Sequence, residues 1–291
     1  MCRPDTTMDE VRTFKAQLAV ATTRLKSAGL DKPAREARHL MQHACRMSAA
    51  DLIREELSEM GDEASKAFFD LVERRAAGEP FEHLTGEAHF YGLIFHCSAD
   101  TLIPRADSEV VVDEALARLP LGRNAMVADL GTGTGCLLIA LMQNQPGLTG
   151  VGVERSEAAA AVARQNLQRH DLAGRAKIET MSWEDWTGWD RADLIISNPP
   201  YIQSDTIGTL DPGVRGFEPH EALDGGHDGL EAYRSIISLA AARMVPGAWL
   251  VLEIGFDQGE TVPALLAKAG FGTISCGQDH GQRDRVVCAR R

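Results

Sequence analysis

Asp129-Leu130-Gly131-Thr132-Gly133-Thr134-Gly135 is the stretch on which the fold turns. The apolar run before it, Ala125 to Leu130, reads as a buried strand, and Cys136 to Gln143 after it reads as a helix. Glycines at such a turn let the backbone approach a ligand closely and adopt φ values that other residues resist. A dinucleotide fingerprint, G-x-G-x-x-G, requires glycine at the position held by Cys136, so the spacing here is G-x-G-x-G instead. Glu154 closes the next predicted strand, Leu148 to Glu154, where a carboxylate can accept both hydrogens of a ribose diol. Together these features point to a nucleoside-containing cofactor at the carboxyl edge of a sheet.

Outward from this turn, helix and strand alternate. Val110 to Leu119 reads as a helix, Glu157 to His170 as an alanine-rich helix, and Ala176 to Met181 and Asp193 to Ser197 as strands. Leu230 to Arg243 is a predicted helix, turned at Pro246-Gly247 into the strand Trp249 to Ile254. Phe271 to Cys276 and Arg285 to Ala289 read as two closing strands. Repeated β-α-β units imply an α/β fold with a mostly parallel sheet and helices on both faces.

The first eighty residues read differently. Val11, Phe14, Leu18 and Leu25 share one helical stripe, with Thr7 and Glu10 as a capping box. Ala37, Leu40, Met41 and Ala44 define a second helix entered near Asp31 and Pro33, and Ser48 and Asp51 open a shorter third. Ala64, Phe68, Leu71, Val72 and Arg75 define a fourth, closed by Gly78 and Pro80. From Phe81 to Pro104, short apolar stretches (His89 to Phe95, Thr101 to Ile103) alternate with turn residues, which suggests a β-hairpin connector. The expected organisation is a helical bundle over 1–80, the connector over 81–104 and the α/β domain over 105–291.

A second motif, Asn198-Pro199-Pro200-Tyr201, follows the apolar strand Leu194-Ile195-Ile196-Ser197. Its two prolines fix φ and remove two backbone donors. What remains is a rigid corner of carbonyl acceptors, the Asn198 amide and an aromatic ring. Such a corner suits a substrate that brings N–H donors and is a poor nucleophile, as an amide nitrogen is. With the Asn198 side-chain oxygen and the Pro199 carbonyl accepting its two hydrogens, that nitrogen is oriented toward an electrophile. Positioning of this kind contributes on the order of 7–11 kcal/mol, so no strong base is required. Tyr201 is expected to pack on the planar amide and exclude water.

Composition narrows the classes. The chain has 291 residues, 44% hydrophobic and 25% charged, which fits a soluble globular protein of two domains. Asp and Glu number 42 against 30 Lys and Arg, a net charge of -12 that argues against holding nucleic acid by neutralising phosphates. The longest apolar run, Cys136 to Met142, is far short of the roughly 20 residues of a membrane span. The start, Met1-Cys2-Arg3-Pro4-Asp5, carries no apolar segment of a secretory signal, so the cytoplasm is the expected location. Six cysteines, Cys2, Cys45, Cys97, Cys136, Cys276 and Cys288, form no C-x-x-C pair and read as free thiols. His39 and His43 share a helix face without an acidic or cysteine partner in a known pattern, and no metal is predicted.

The glycine loop with Asn198-Pro199-Pro200-Tyr201 resembles the S-adenosylmethionine-dependent amino-methyltransferases. More of the chain resembles one family among them, the bacterial protein-glutamine methyltransferases that modify peptide chain release factors. Leu84-Thr85-Gly86-Glu87, Phe90-Tyr91-Gly92-Leu93 and Leu102-Ile103-Pro104-Arg105 are similar to that family's connector. Phe217-Glu218-Pro219, Ala222-Leu223, Gly225-Gly226 and Asp228-Gly229-Leu230 resemble its long loop. Glu253-Ile254-Gly255 with Gln258, and Arg283-Asp284-Arg285-Val286-Val287, resemble its C-terminal part. The match runs from about Phe81 onward, while the N-terminal helices are similar in type alone.

The resemblance implies a Rossmann-like methyltransferase sheet that binds S-adenosyl-L-methionine. Gly131, Thr132, Gly133, Thr134 and Gly135 would hold its methionine part, Glu154 its ribose hydroxyls, and Trp183 would lie beside the adenine. Asn198 would sit between cofactor and substrate, and Asn198, Pro199, Pro200 and Tyr201 would grip the glutamine. The implied substrate is the Gly-Gly-Gln loop of release factors, with no direct nucleic acid, no membrane and a monomer favoured. Some positions depart from the family pattern: Ser182 stands where Asp is common, Glu rather than Asp is at 154, and Ala106-Asp107-Ser108 replaces a proline-acidic-threonine run. Trp186 and Trp189 are expected to pack in the core or at its rim. Arg105, Glu218 and Asp228 are open between site and structural roles.

Other readings stay open at this point. The same corner would serve a glutamine methyltransferase acting on a ribosomal protein, or an adenine-directed DNA methyltransferase, although net charge and the lack of a recognition domain count against the latter. A nicotinamide oxidoreductase shares the sheet, against which Cys136 counts. In a non-catalytic module the cofactor would merely stabilise the fold.

Overall fold

A computed structural model describes residues 12–119 and 124–291, and the chain divides into two compact units. One takes in the chain to Gly86 together with Pro212–Phe217. Its helices are α1 (Phe14–Ser27), α2 (Pro33–Cys45), α3 (Ala49–Arg54), α4 (Asp62–Ala76) and α5 (Phe81–Thr85), with Pro212–Phe217 as α9 in chain order. The predicted Thr7–Glu10 box, Val11 and Cys2 lie outside the described residues. Helix α1 is capped by Thr13, whose hydroxyl accepts the Ala16 N–H at 3.2 Å. Ser48 and Asp51 form a reciprocal capping box on α3. The predicted stripes meet in one apolar core, in which Phe14, Leu25, Leu40, Met41, Phe68 and Val72 are buried. Arg24 to Glu73 (2.7 Å) and Arg75 to Glu36 (2.5 Å) tie the helices at the surface.

The connector departs from expectation at both ends. Phe81–Thr85 is a helical turn, begun after Pro80 and ended by Gly86 at φ 71°. Phe81 and Leu84 pack into the first unit's core, so the segment at the start of the expected connector is helical. The hairpin itself pairs β1 (Glu87–Phe90) with β2 (Leu93–His96). Thr101–Ile103 is not a strand, because the Ile103 N–H is taken by the Glu218 carboxylate at 3.2 Å and not by a neighbouring strand.

The second unit holds Glu87–Asp211 and Glu218–Arg291. Its strands are β3 (Ala125–Leu130), β4 (Leu148–Glu154), β5 (Ala176–Thr180), β6 (Leu194–Ser197), β7 (Trp249–Glu253), β8 (Gly272–Gln278) and β9 (Asp284–Arg290). They form one sheet in the order β5-β4-β3-β6-β7-β9-β8, in which β9 alone runs against the rest. Helices are α6 (Glu109–Arg118), α7 (Cys136–Asn144), α8 (Glu157–Arg169), α10 (His220–Leu223), α11 (Glu231–Arg243) and α12 (Thr261–Lys268). The period-2 alternation of the strands splits the core in two. Val127, Leu148, Leu194 and Ile196 pack under α6–α8, while Leu130, Val151, Val153 and Ile195 pack under α11 and α12 with Trp186 and Trp189. The sequence reading does not include α9, α10 or α12.

The chain passes from β3 to β4 on one side and returns to β6 on the other, so a switch point opens at the carboxyl end of β3. Asn166, fully buried on α8, braces this end. Its Oδ1 accepts the His96 N–H at 2.6 Å, and its Nδ2 donates to His96 O (3.0 Å) and Thr134 O (2.9 Å). Among the described residues, no helix is long and apolar enough to cross a membrane.

Candidate active site

The glycine turn is strapped to the neighbouring strand. Gly131 and Thr132 both donate their N–H groups to Val153 O, at 2.8 and 3.1 Å. Gly131, Gly133 and Gly135 take φ of 69°, 53° and 80°, the left-handed region that excludes most side chains at low cost. Gly152 lies beneath the turn, where a Cβ would stand 2.9 Å from Thr132 Cγ2. Thr132 Oγ1 donates to Asp129 Oδ2 at 2.6 Å. Burial pushes the Asp129 carboxyl up to about 7, the Thr132 hydrogen bond opposing and the charge of Glu154 adding to the rise.

Glu154 ends β4 facing the turn. Its Oε2 accepts the Gly133 N–H at 3.0 Å and its Oε1 the Ser156 N–H at 2.9 Å. Each carboxylate oxygen keeps a further lone pair, which leaves the group able to receive two hydroxyls.

A cavity of about 890 Å³ opens at this edge, within the range of small-molecule sites. Gly131, Thr132, Gly133, Thr134, Glu154 and Trp183 line it, and Asn198, Pro199 and Pro200 form part of the same wall. Trp183 packs over Gly131, since a Cβ there would stand 3.6 Å from its ring. The indole N–H donates to Ser235 Oγ at 3.0 Å, which fixes the ring plane. Ser182, also on the wall, spends its hydroxyl on Asp185 at 2.9 Å. The cavity thus offers an acid pair of oxygens, a flat aromatic face and a glycine bend that no Cβ fills. That donor set fits a nucleoside with a short amino-acid arm.

Two predicted site residues stand off the wall. Gly135 caps α7, and a Cβ on it would stand 3.3 Å from Ile139 Cδ1 and 3.6 Å from Ala163 Cβ, so its place is helix packing. Tyr201 turns behind the corner, its hydroxyl 3.4 Å from Glu253 Oε1, and burial raises its pKa.

The corner is held from below. Asn198 Nδ2 faces Ser108 Oγ at 3.5 Å. Gln258 donates Nε2 to Tyr201 O (3.3 Å) and Gly229 O (3.0 Å) and accepts the Gly255 N–H at 2.9 Å. Gly225 presses its backbone onto the corner, with a Cβ there only 2.8 Å from Tyr201 Cα. Arg105, on the cavity wall, pairs with the buried Glu218. Asp228 is an ordinary surface acid paired with Arg234. Trp186 and Trp189 are 1% exposed core residues.

Sequence reasoning did not single out Ser108, Glu253 or Gln258 as supports. Glu253 carried a signal of its own: an acid closing an apolar strand at the same sheet edge as Glu154.

Comparison with known proteins bears on the family of the chain. Residues 17–86 match the PrmC N-terminal domain, and residues 109–209, which hold the glycine turn and the proline corner, match the methyltransferase small domain. A release factor glutamine methyltransferase of Cereibacter sphaeroides is 41% identical over 273 residues, covering 94% of this chain and 96% of that one. Its counterpart in Caulobacter vibrioides is 38% identical over 267 residues, 92% of each chain. A solved protein-(glutamine-N5) methyltransferase (release factor-specific) from Alicyclobacillus acidocaldarius is 29% identical, covering 65% of this chain and 94% of that one, with a TM-score of 0.40. The chain belongs to the release factor glutamine methyltransferase family.

Proposed function

We propose that this protein methylates the side-chain amide nitrogen of a glutamine in a peptide chain release factor, at the Gly-Gly-Gln loop, with S-adenosylmethionine as methyl donor. One observation carries the reading: the donor-poor corner at Asn198–Pro200 and the ribose-type acid Glu154 open on one cavity. When bound there, the sulfonium supplies an electrophilic methyl group. The chain's own residues do the rest by placement. Glu154 receives the ribose hydroxyls, the turn Gly131–Thr134 leaves room for the methionine arm, and Trp183 offers its face to the adenine. Gly135 and Tyr201 act from behind, the first by letting α7 approach α8 and the second by filling the space under the corner.

Asn198 Oδ1 and the Pro199 carbonyl accept the two amide hydrogens of the substrate. The nitrogen lone pair is then turned away from the corner and toward the cofactor side of the cavity. Water exclusion and alignment supply the rate. As the N–CH₃ bond forms, the S–CH₃ bond would break with the thioether S-adenosylhomocysteine as leaving group. The methylated nitrogen, then strongly acidic, would pass one of its two protons through the accepting carbonyls to solvent, so no strong base is needed in the corner.

Mass spectrometry of purified release factor incubated with the protein and cofactor tests this. The expected result is one added methyl on the Gly-Gly-Gln glutamine, with Asn198→Ala retaining cofactor affinity and losing methylation. An unmodified glutamine at saturating cofactor overturns the proposal.

A further inference from the structure

Glycine has no side chain, so a Gly-Gly-Gln loop brings to a cavity its main-chain carbonyls and N–H groups besides the target amide. A carbonyl that leaves water there needs a donor, because a buried acceptor left unpaired is costly. The corner is poor in donors: Pro199 and Pro200 have no N–H, and the Asn198 NH₂ group faces Ser108 at 3.5 Å. Much of the remaining wall spends its hydrogens within the protein. Thr101 gives its hydroxyl hydrogen to Ser98 O (3.3 Å), and Ser182 gives its own to Asp185 (2.9 Å). Trp183 gives its indole N–H to Ser235 (3.0 Å), which in turn donates to Glu184 (2.8 Å).

Arg105 differs. It lines the cavity with Asn198, Pro199 and Pro200, and it precedes the 3-10 turn Ala106–Ser108, whose last residue faces Asn198. A guanidinium carries its N–H groups in a rigid planar fork. One of them is given to Glu218 Oε1, and among the described residues this side chain makes no other hydrogen bond. Glu218 is the anchor: its side chain is 1% exposed, and its second oxygen accepts the Ile103 N–H at 3.2 Å. The guanidinium is thus tied at one edge to a buried anion, and its remaining N–H groups are open to what enters the cavity. Arg155, the other guanidinium on the wall, follows the ribose-type acid Glu154 and pairs with Glu221 at 2.9 Å.

We propose that Arg105 is a substrate-binding residue: its unspent N–H groups donate to a main-chain carbonyl of the release-factor loop beside the target glutamine, while Asn198 and Pro199 accept from the glutamine amide. The inference rests on the substrate reading given above and supplies the donor half of that site. It also gives the pair with Glu218 a purpose beyond holding Ile103. The buried carboxylate fixes the guanidinium plane before the substrate arrives, so less freedom is lost on binding.

Two measurements test this: steady-state methylation of release factor, and calorimetric binding of release factor to the protein loaded with S-adenosylhomocysteine. Arg105→Met removes the donors but leaves Glu218 as an unpaired buried anion. The double variant R105M/E218Q avoids that, since glutamine at 218 still accepts the Ile103 N–H and leaves no charge behind. Both variants are expected to raise the KM and Kd for release factor about tenfold or more, with kcat within about threefold of the wild type. Affinity for S-adenosylhomocysteine is expected to stay unchanged. Arg105→Lys is expected to fall between, because an ammonium keeps the charge and loses the planar fork.

A double variant that binds release factor as tightly as the wild type overturns the proposal and leaves Arg105 a structural partner of Glu218. Cofactor affinity that falls together with the release-factor affinity overturns it as well, because the guanidinium would then hold the carboxylate of the methionine arm. A wild-type protein that binds release factor without methylating it sinks the functional reading instead, and the binding measurement still judges Arg105 alone.

Discussion

Gly152 supports the cofactor turn without touching the cavity, and its replacement by alanine measures how tightly that turn is held. A Cβ at 152 would stand 2.7 Å from Ile178 Cδ1, 2.9 Å from Thr132 Cγ2 and 3.1 Å from Thr132 Oγ1. The Ile178 contact is the end of a flexible chain and can swing aside. Thr132 cannot do so freely, because it is β-branched, its N–H is bound to Val153 O, and its hydroxyl holds Asp129 at 2.6 Å.

To reach an ordinary 3.4 Å contact, Thr132 must yield by roughly 0.5 Å. Overpacking of this kind costs about 1–3 kcal/mol. Loss of the hydroxyl from buried Asp129 adds about 1–3 kcal/mol. Gly152→Ala is therefore expected to lose roughly 2–6 kcal/mol in urea unfolding. Calorimetric titration should show cofactor binding weakened about tenfold or more, since 1.4 kcal/mol of loop displacement suffices for that. Adding Thr132→Ser removes Cγ2 and keeps the hydroxyl, so the double variant is expected to recover the larger part of both losses. A G152A protein as stable and as tight as the wild type, or a double variant no better than G152A, refutes the steric account.

Two further expectations concern buried acids. Asp129 sits near 7 in the fold against about 4 in an unfolded chain, so its stabilising contribution is complete below about pH 4 and is lost as pH rises through 7. Denaturant unfolding across that window should show the wild type losing about 4 kcal/mol that Asp129→Asn does not lose. Glu218 holds the Ile103 N–H and Arg105, but the Arg105 side chain is 40% exposed and partly screened. Glu218→Gln should thus cost only about 1–2 kcal/mol in the same assay, and a neutral result would show that the pair does not fasten the connector.

The α/β core was legible because its strands are short apolar runs bounded by turn residues, and β3, with its Gly131–Gly135 turn, announced itself by composition alone. Helix α12 was not, since Pro263 in its first turn reads as a breaker while being tolerated there. The start of the connector was placed at Phe81 because apolar periodicity breaks at Gly78 and Pro80, whereas Phe81 and Leu84 join the helical core and the hairpin begins at Glu87. At the site, the glycine turn, Glu154 and the proline corner were visible as motifs, whereas wall residues brought in from distant parts of the chain, such as Ser108 and Ser235, were not. Ser108 and Asn198 lie ninety positions apart in sequence, and only the sheet brings them together. Tyr201 shows the converse, a motif residue whose side chain serves the wall from its far side.

The brace at Asn166 restricts what chemistry that position tolerates. One N–H and two carbonyls must be met there by a single short side chain. Aspartate would set an anion against two carbonyl oxygens, and leucine, nearly the same shape, would strand all three backbone groups dry. Only a carboxamide of this length both gives twice and takes once, so the mooring between hairpin and cofactor turn depends on the hydrogen count of one amide.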